Sequence, residues 1–374
     1  MKVEFYKHNL CEKDISNVVD VLQSTFITSG GIVKAFEKKF SIRYKYTQAL
    51  AVSSCTAALH LSLIALGVTK GDELITTPLS FIATANSIEY VGAKPIFVDV
   101  DSSTGLIDAD RLEEAITSKT KAIVVVHLYG QLCDMKKIRK IANKYNLKII
   151  EDAAHAVESQ RDDYQTGTHG DFTCYSFYAT KNLTCGEGGM IAFQNKSHID
   201  TVTKLRLHGM STNAADRYTK LYKHYDMDLL GYKYNMTNIS AAMLTDQIDR
   251  LDQQLIQREV LCQRYEKAFQ LFKGINLIEI VKNSRSARHL FTILVDPIKR
   301  DDYIKQIQKA GIGVAVNFRV IHLMRYYREK YGYTEGSYPE AEKIGSSTIT
   351  LPLYPKLSFE EQDYVISVVK QTII

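Results

Sequence analysis

Tyr175-Ser-Phe-Tyr-Ala-Thr-Lys-Asn-Leu-Thr-Cys-Gly-Glu-Gly-Gly189 is the stretch on which the reading of this chain turns. Lys181 follows Ser176 by five residues and precedes a glycine-rich turn. An amine and a hydroxyl at this spacing suit an aldehyde cofactor with a phosphate tail. The amine can condense with the aldehyde, and the hydroxyl can hold the phosphate. Upstream lies Glu151-Asp-Ala-Ala-His-Ala156. A carboxylate at Asp152 can keep a pyridinium nitrogen protonated, because an opposite charge favours the charged form. His155 can face the 3'-oxygen of the same ring. Together these residues point to pyridoxal 5'-phosphate, whose electronics the protein tunes. For an arbitrary lysine a solvated surface position is the default. Ser176, Asp152 and the glycine turn reverse that default here.

Outward from this stretch the chain alternates apolar runs with helical patterns. Strands are expected at Gln48–Ser53, Glu73–Thr76, Pro95–Val100, Ala122–His127, Leu147–Glu151 and Phe172–Phe177. Helices are expected at Thr56–Leu66, Ile82–Tyr90, Asp108–Ile116 and Met135–Tyr145. Such alternation implies an α/β fold with a mostly parallel sheet covered on both faces. Functional groups then gather at the strand ends. A long helical pattern, Asn238–Phe272, leads to a smaller C-terminal α+β part. There a strand His289–Val295, a helix Arg300–Ala310, a strand Val314–Phe318 and a terminal helix Phe359–Val369 are expected. The polar stretch Ser211–Tyr225 reads as a mobile loop.

Two further segments bear on the cofactor. Ser53-Ser-Cys-Thr-Ala-Ala58 stands at a strand-to-helix junction. Amides at a helix N-terminus form a ready anion site, so Cys55 and Thr56 are candidate phosphate ligands. A plain helix cap is the simpler alternative. Phe81 can stack on the pyridine ring, although a core phenylalanine would be the default in isolation.

Composition excludes several other classes. The 374 residues are 45% hydrophobic and 24% charged, with a net charge of +5. The basic residues are dispersed rather than gathered in a stripe, so no nucleic-acid partner is expected. Six cysteines form no Cys-x-x-Cys pair, which argues against a zinc or redox motif. No apolar run approaches a membrane span. A soluble, cytoplasmic enzyme is the expectation.

In these motifs the chain resembles the DegT/DnrJ/StrS family of sugar aminotransferases. The likeness also takes in Thr28-Ser-Gly30, Gly71-Asp-Glu-Leu-Ile-Thr-Thr-Pro78, Val126-His-Leu-Tyr-Gly130 and Gly231-Tyr-Lys-Tyr-Asn-Met236. The resemblance implies an aspartate-aminotransferase-like fold (fold type I) and a homodimer with shared active sites. It divides the chain into a large cofactor-binding domain, 1–245, and a small C-terminal domain, 246–374. It implies Lys181 and Asp152 as catalytic groups, with L-glutamate as donor and a keto-sugar as acceptor. A phosphate ligand from the partner subunit is expected within Gly231–Met236, and Asn235 is favoured over Lys233.

Among members the chain is similar to the branch that forms UDP-4-amino-4-deoxy-L-arabinose for lipid A. The likeness rests on Lys181-Asn-Leu-Thr-Cys185, His208-Gly209, Asp216-Arg217 and Tyr326-Tyr-Arg-Glu329. Departures stand at Cys55, where the family usually has glycine or alanine, and at Asn317, where many members have histidine. A third is Phe81, where that branch has tryptophan. They bear on the sugar, so three acceptors stay open. These are a nucleotide-linked 4-keto or 3-keto hexose, a keto-pentose, and an unlinked oxidised sugar acid of octulosonate or nonulosonate type. A sugar dehydratase of the same fold would carry histidine in place of Lys181. Arg217, Arg288 and Arg319 are candidates for the substrate anion, with ordinary ion pairs the alternative.

Overall fold

The structure, a computed structural model, describes residues 1–211 and 224–373. Its centre is a seven-stranded sheet built from β1 (Gln48–Val52), β2 (Glu73–Thr76), β3 (Lys94–Phe97), β4 (Thr120–Val126), β5 (Lys148–Asp152), β8 (Phe172–Ser176) and β9 (Gly189–Phe193). Three short strands, β6 (Gln160–Arg161), β7 (Tyr164–Gln165) and β11 (Ser284–Arg285), form a separate small sheet. The large sheet runs β1-β9-β8-β5-β4-β2-β3. Strand β9 is antiparallel to both its neighbours, and the remaining pairings are parallel.

Alternate residues of each strand feed opposite cores, as the period of two requires. Leu50, Leu74, Val124, Ile150 and Cys174 pack on one face against the helix α1 (Cys55–Ala65). Ala51, Ile75, Val125, Ile149 and Tyr175 pack on the other, with Phe36, Phe40 and Phe177. Both faces are covered, which is why β1 and β4 read as nearly unbroken apolar runs. The helix α2 (Met135–Lys144) shows the complementary pattern. It buries Ile138, Ile141 and Ala142 and leaves Lys136 and Lys140 outside.

The C-terminal part has its own core. Strands β10 (Asn276–Leu277), β12 (Phe291–Leu294) and β13 (Thr348–Leu351) form an antiparallel sheet. Tyr265, Phe269, Ile307, Val365 and Val369 pack around it from three helices. Val3 joins this core and bridges Ile312, so the first residues cross to the C-terminal part.

Three expected elements differ. Asp108–Ile116 holds one 3-10 turn, Glu113–Ala115, instead of a helix. The backbone bridges Val100 to Ile107, and Asp108 accepts the Asp110 N–H. Short aspartate side chains compete with the helix in this way. The pattern Asn238–Phe272 is two helices, Asn238–Leu244 and Gln247–Phe269, broken at Thr245-Asp246. Val314–Phe318 contributes only the bridge Ala315–Thr350. The loop expected at Ser211–Tyr225 lies for the most part outside the described residues.

Candidate active site

The carboxyl ends of the parallel strands meet at one edge of the sheet, where open α/β sheets bind ligands. Asp152 closes β5 and Ser176 closes β8. Strand β1 ends at Val52 and turns through Ser53 and Ser54 into α1. The Ser54 hydroxyl caps that helix by accepting the Ala57 N–H at 3.0 Å. Cys55 and Thr56 therefore occupy its first turn. The backbone of β9 presses on this turn. A Cβ on Gly189 would lie 2.5 Å from the Ser54 carbonyl oxygen and 2.6 Å from the Cys55 nitrogen. Only glycine permits that approach, which explains one of the glycines after Lys181.

Asp152 is buried. Its Oδ2 accepts 2.7 Å from the Thr84 hydroxyl, and its Oδ1 accepts 3.2 Å from the Ala154 N–H. Burial pushes this carboxyl up, while Thr84, Ala154 and the Lys181 charge pull it back. The Cys55 thiol lies 3.9 Å from Oδ1; burial and this neighbouring carboxylate push it well above its ordinary value. Cys55 is therefore a neutral, buried thiol.

Lys181 stands half-buried in a tight loop whose ends are tied together. Phe177 N–H donates to Gly188 at 2.8 Å and Cys185 N–H to Phe177 at 3.0 Å. Gly186 turns the chain with φ +85°. Gln247 clamps the loop, donating to Thr184 O at 2.7 Å and accepting the Thr184 N–H at 3.2 Å. Removal from water lowers the amine to about 8, against the raising influence of the Asp152 carboxylate. Its Nζ is 3.3 Å from His289 Nε2.

His155 is buried and packs between His289, at 4.4 Å between ring centres, and Phe318, at 5.8 Å and stacked. Burial and then the Lys181 charge hold it well below its ordinary value, so it is a neutral imidazole. The Tyr129 N–H donates to its Nδ1 at 3.3 Å, which assigns the ring hydrogen to Nε2. Tyr129 also donates its hydroxyl to the Asn317 carbonyl at 2.5 Å. Phe81 is exposed and tilts toward Phe318 at 6.0 Å.

The structure brings Lys181, Asp152, Cys55 and His155 together. Asn235 bridges Val52 beside the first turn of α1, but its amide is engaged nearby. Nδ2 donates 2.6 Å to Ser29, and Oδ1 is buried without a partner among the described residues. Lys233 is exposed. Arg288 is occupied: it donates to both Glu259 oxygens at 2.7 and 2.9 Å and to Glu266 at 2.7 Å. Arg319 is exposed beside Phe318, and Arg217 lies outside the described residues. Sequence reasoning does not single out Thr84, Gln247 or His289. Tyr129 sits in a quoted motif, yet nothing local to it announces its two bonds.

A lysine amine of lowered basicity beside a buried carboxylate, at the mouth of a parallel sheet, is the chemistry of an amine-transferring site. Residues 8–370 match the DegT/DnrJ/EryC1/StrS aminotransferase family. The chain belongs to that family. It is 40% identical over 368 residues to the spore coat polysaccharide biosynthesis protein SpsC of Bacillus subtilis, covering 97% of this chain and 95% of SpsC. Among solved structures it is similar to the putative sugar aminotransferase Spr1654 of Streptococcus pneumoniae in its PMP-form. That match has a TM-score of 0.93 and 32% identity, with 99% of each chain covered. Spr1654 is also known in a PLP-form. PseC of Helicobacter pylori, an aminotransferase involved in the biosynthesis of pseudoaminic acid, matches with a TM-score of 0.93 and 25% identity, covering 100% of this chain and 99% of PseC. The fold is the type I fold of these aminotransferases. Among the described residues no helix is long and apolar enough to cross a membrane.

Proposed function

We propose that this family member moves an amino group from L-glutamate to a keto-sugar linked to a nucleotide, at a 4-keto or 3-keto carbon. The product would serve lipopolysaccharide or another surface glycan, and the enzyme would work in the cytoplasm as a homodimer with shared sites. The observation that carries this reading is the grouping of the Lys181 amine with the buried Asp152 carboxylate at the carboxyl end of β5, where burial also lowers the amine. The cofactor is pyridoxal 5'-phosphate. The donor set fits it: a buried carboxylate suits a cationic ring nitrogen, and the amides of a helix's first turn suit a phosphate. When bound, the group supplies an aldehyde that condenses with amines and a ring that withdraws electrons.

The residues divide the work as follows. The amides of Cys55 and Thr56 and the hydroxyl of Ser176 hold the phosphate, with Asn235 of the partner subunit as a further ligand. Asp152 keeps the ring nitrogen protonated, with Thr84 fixing the carboxylate's orientation. Phe81 would cover one face of the ring, and His155 would meet the 3'-oxygen. Lys181 Nζ would take the proton from the α-carbon of glutamate, hold it as the ammonium and give it to the cofactor's C4' carbon, and would move a proton the opposite way for the sugar. A large cofactor-binding domain, 1–245, and a small one, 246–374, would form the walls.

The test is a half-reaction. The enzyme is converted to its amine-loaded form with glutamate, freed of 2-oxoglutarate, and offered a panel of keto- and aldehydo-sugars. Return of the original cofactor absorbance with a nucleotide-linked keto-sugar supports the proposal. Return only with an unlinked sugar acid replaces that acceptor.

A further inference from the structure

Behind Lys181 runs a chain of polar side chains, largely removed from water, to which the proposed cycle gives no task. Lys181 Nζ lies 3.3 Å from His289 Nε2. His289 Nδ1 lies 3.2 Å from Asn182 Oδ1. Asn182 Nδ2 donates to Glu158 at 2.9 and 3.2 Å and to the Ala287 carbonyl at 2.8 Å. Glu158 is held in turn by Arg258 at 2.5 Å, and both are almost fully buried. The direction of every bond is forced. A carboxylate and a carbonyl only accept, so the Asn182 nitrogen must face them. Its oxygen then faces His289, so the imidazole hydrogen sits on Nδ1. Nε2 is left bare, and it points at the lysine.

We propose that His289 is a positioning residue for Lys181, its unprotonated Nε2 accepting a hydrogen from the lysine amine while that amine is free. The inference rests on the assignment of Lys181 as the proton-transferring base. An amine on a four-carbon stem has many rotamers, and a fixed acceptor selects the one that the transfer needs. The same bond favours the ammonium form, so it works against burial. The groups facing the amine are Asp152, Cys55 and His289, with His155 packed on His289 and the Arg258–Glu158 pair behind. Burial and then the Lys181 charge keep His289 neutral, as an acceptor must be.

The experiment is single-turnover absorbance of the holoenzyme mixed with L-glutamate across pH, for wild type, His289→Phe, His289→Gln and Asn182→Ala. With His289→Phe the saturating rate should fall roughly tenfold, the loss of one charge-assisted bond, with little change in the glutamate concentration for half-saturation. The acid limb of its pH profile should move to lower pH, because the ammonium then loses one favourable partner and keeps only the Asp152 carboxylate. His289→Gln, which keeps an acceptor at similar reach, should recover most of the rate. Asn182→Ala, which frees the imidazole tautomer, should shift the limb the same way by less. A wild-type rate and limb in either His289→Phe or Asn182→Ala would overturn the role. Equal slowing in His289→Phe and His289→Gln with an unmoved limb would reduce His289 to packing. Normal turnover in Lys181→Ala would instead sink the base assignment itself, so the two failures are distinguishable.

Discussion

Thr84 Oγ1 donates a 2.7 Å hydrogen bond to Asp152 Oδ2 and so ties the helix Ala83–Tyr90 to the end of β5. Ser80 lies 3.0 Å from the same hydroxyl, so the bond belongs to a short buried relay. The carboxylate that is to meet the cofactor ring is thereby held in one orientation. A hydrogen bond to a charged group is worth about 1.5–3 kcal/mol. Thr84→Val keeps the shape and removes the donor. It should weaken cofactor retention by roughly tenfold or more and lower kcat, with the far-ultraviolet circular dichroism unchanged. Cofactor dissociation constants from titration of the apoenzyme check this, and an unchanged value would refute it.

Lys181 ties function to stability. Its folded value near 8 lies below the 10.5 of a free lysine, because burial disfavours the charge. Below pH 8 both folded and unfolded chains carry the proton, and the folded chain bears the full cost of the charge held away from water. Between 8 and 10.5 the unfolded chain binds more protons, so stability rises with pH and the cost disappears. At about 1.4 kcal/mol per unit the cost reaches roughly 3 kcal/mol as an upper figure. Lys181→Met should therefore abolish turnover and raise the melting temperature of the apoprotein by a few degrees at pH 7. That gain should shrink toward zero as pH passes 10.5. Calorimetric scans of both proteins across pH would measure it.

The close approach of β9 to the first turn of α1 gives a third expectation. A methyl on Gly189 would meet backbone atoms of Ser54 and Cys55 at 2.5–2.6 Å, and backbone cannot swing aside as a side chain can. Gly189→Ala should cost about 1–3 kcal/mol through overpacking. Because one of the displaced atoms is the Cys55 nitrogen, a proposed phosphate ligand, cofactor affinity should fall as well. Gly186→Ala meets no neighbour within 4 Å, but its φ of +85° makes alanine strained there. Its loss should appear in denaturant midpoint more than in cofactor affinity.

Much of the fold was legible because the physics was local. Strand β4 is buried on both faces and therefore reads as a nearly continuous apolar run. The junctions around Asp152, Ser54 and Lys181 carry chemistry in adjacent residues. The unread parts depend on distance along the chain. Gly189–Phe193 follows a glycine turn directly, and as a strand it joins β8 to β1, which lies far upstream. Thr84 meets Asp152 across 68 residues, and His289 meets Lys181 across 108. Nothing near a threonine or a histidine in sequence announces such partners. Arg288 is open to two readings in sequence, and its bonds to Glu259 and Glu266 favour the structural one.

The Arg258–Glu158 pair gives the last expectation. Both side chains are almost wholly removed from water, and Asn182 and Arg258 share the Glu158 carboxylate. Taking two charges out of water costs several kcal/mol, so such a pair need not stabilise the fold on balance. Breaking it from one side is different, because a bare charge remains inside. Arg258→Met should destabilise by about 3–5 kcal/mol, seen as a lower urea midpoint. Arg258→Met with Glu158→Gln should recover most of that loss, since the new amide can still accept from Asn182. If the double variant is as unstable as the single one, the cost lies in lost packing by the arginine stem rather than in the stranded carboxylate. Stability and catalysis should then part company. The recovered double variant should still turn over more slowly than wild type. An amide in place of the Glu158 carboxylate can flip, which leaves the Ala287 carbonyl alone to keep the Asn182 oxygen toward His289.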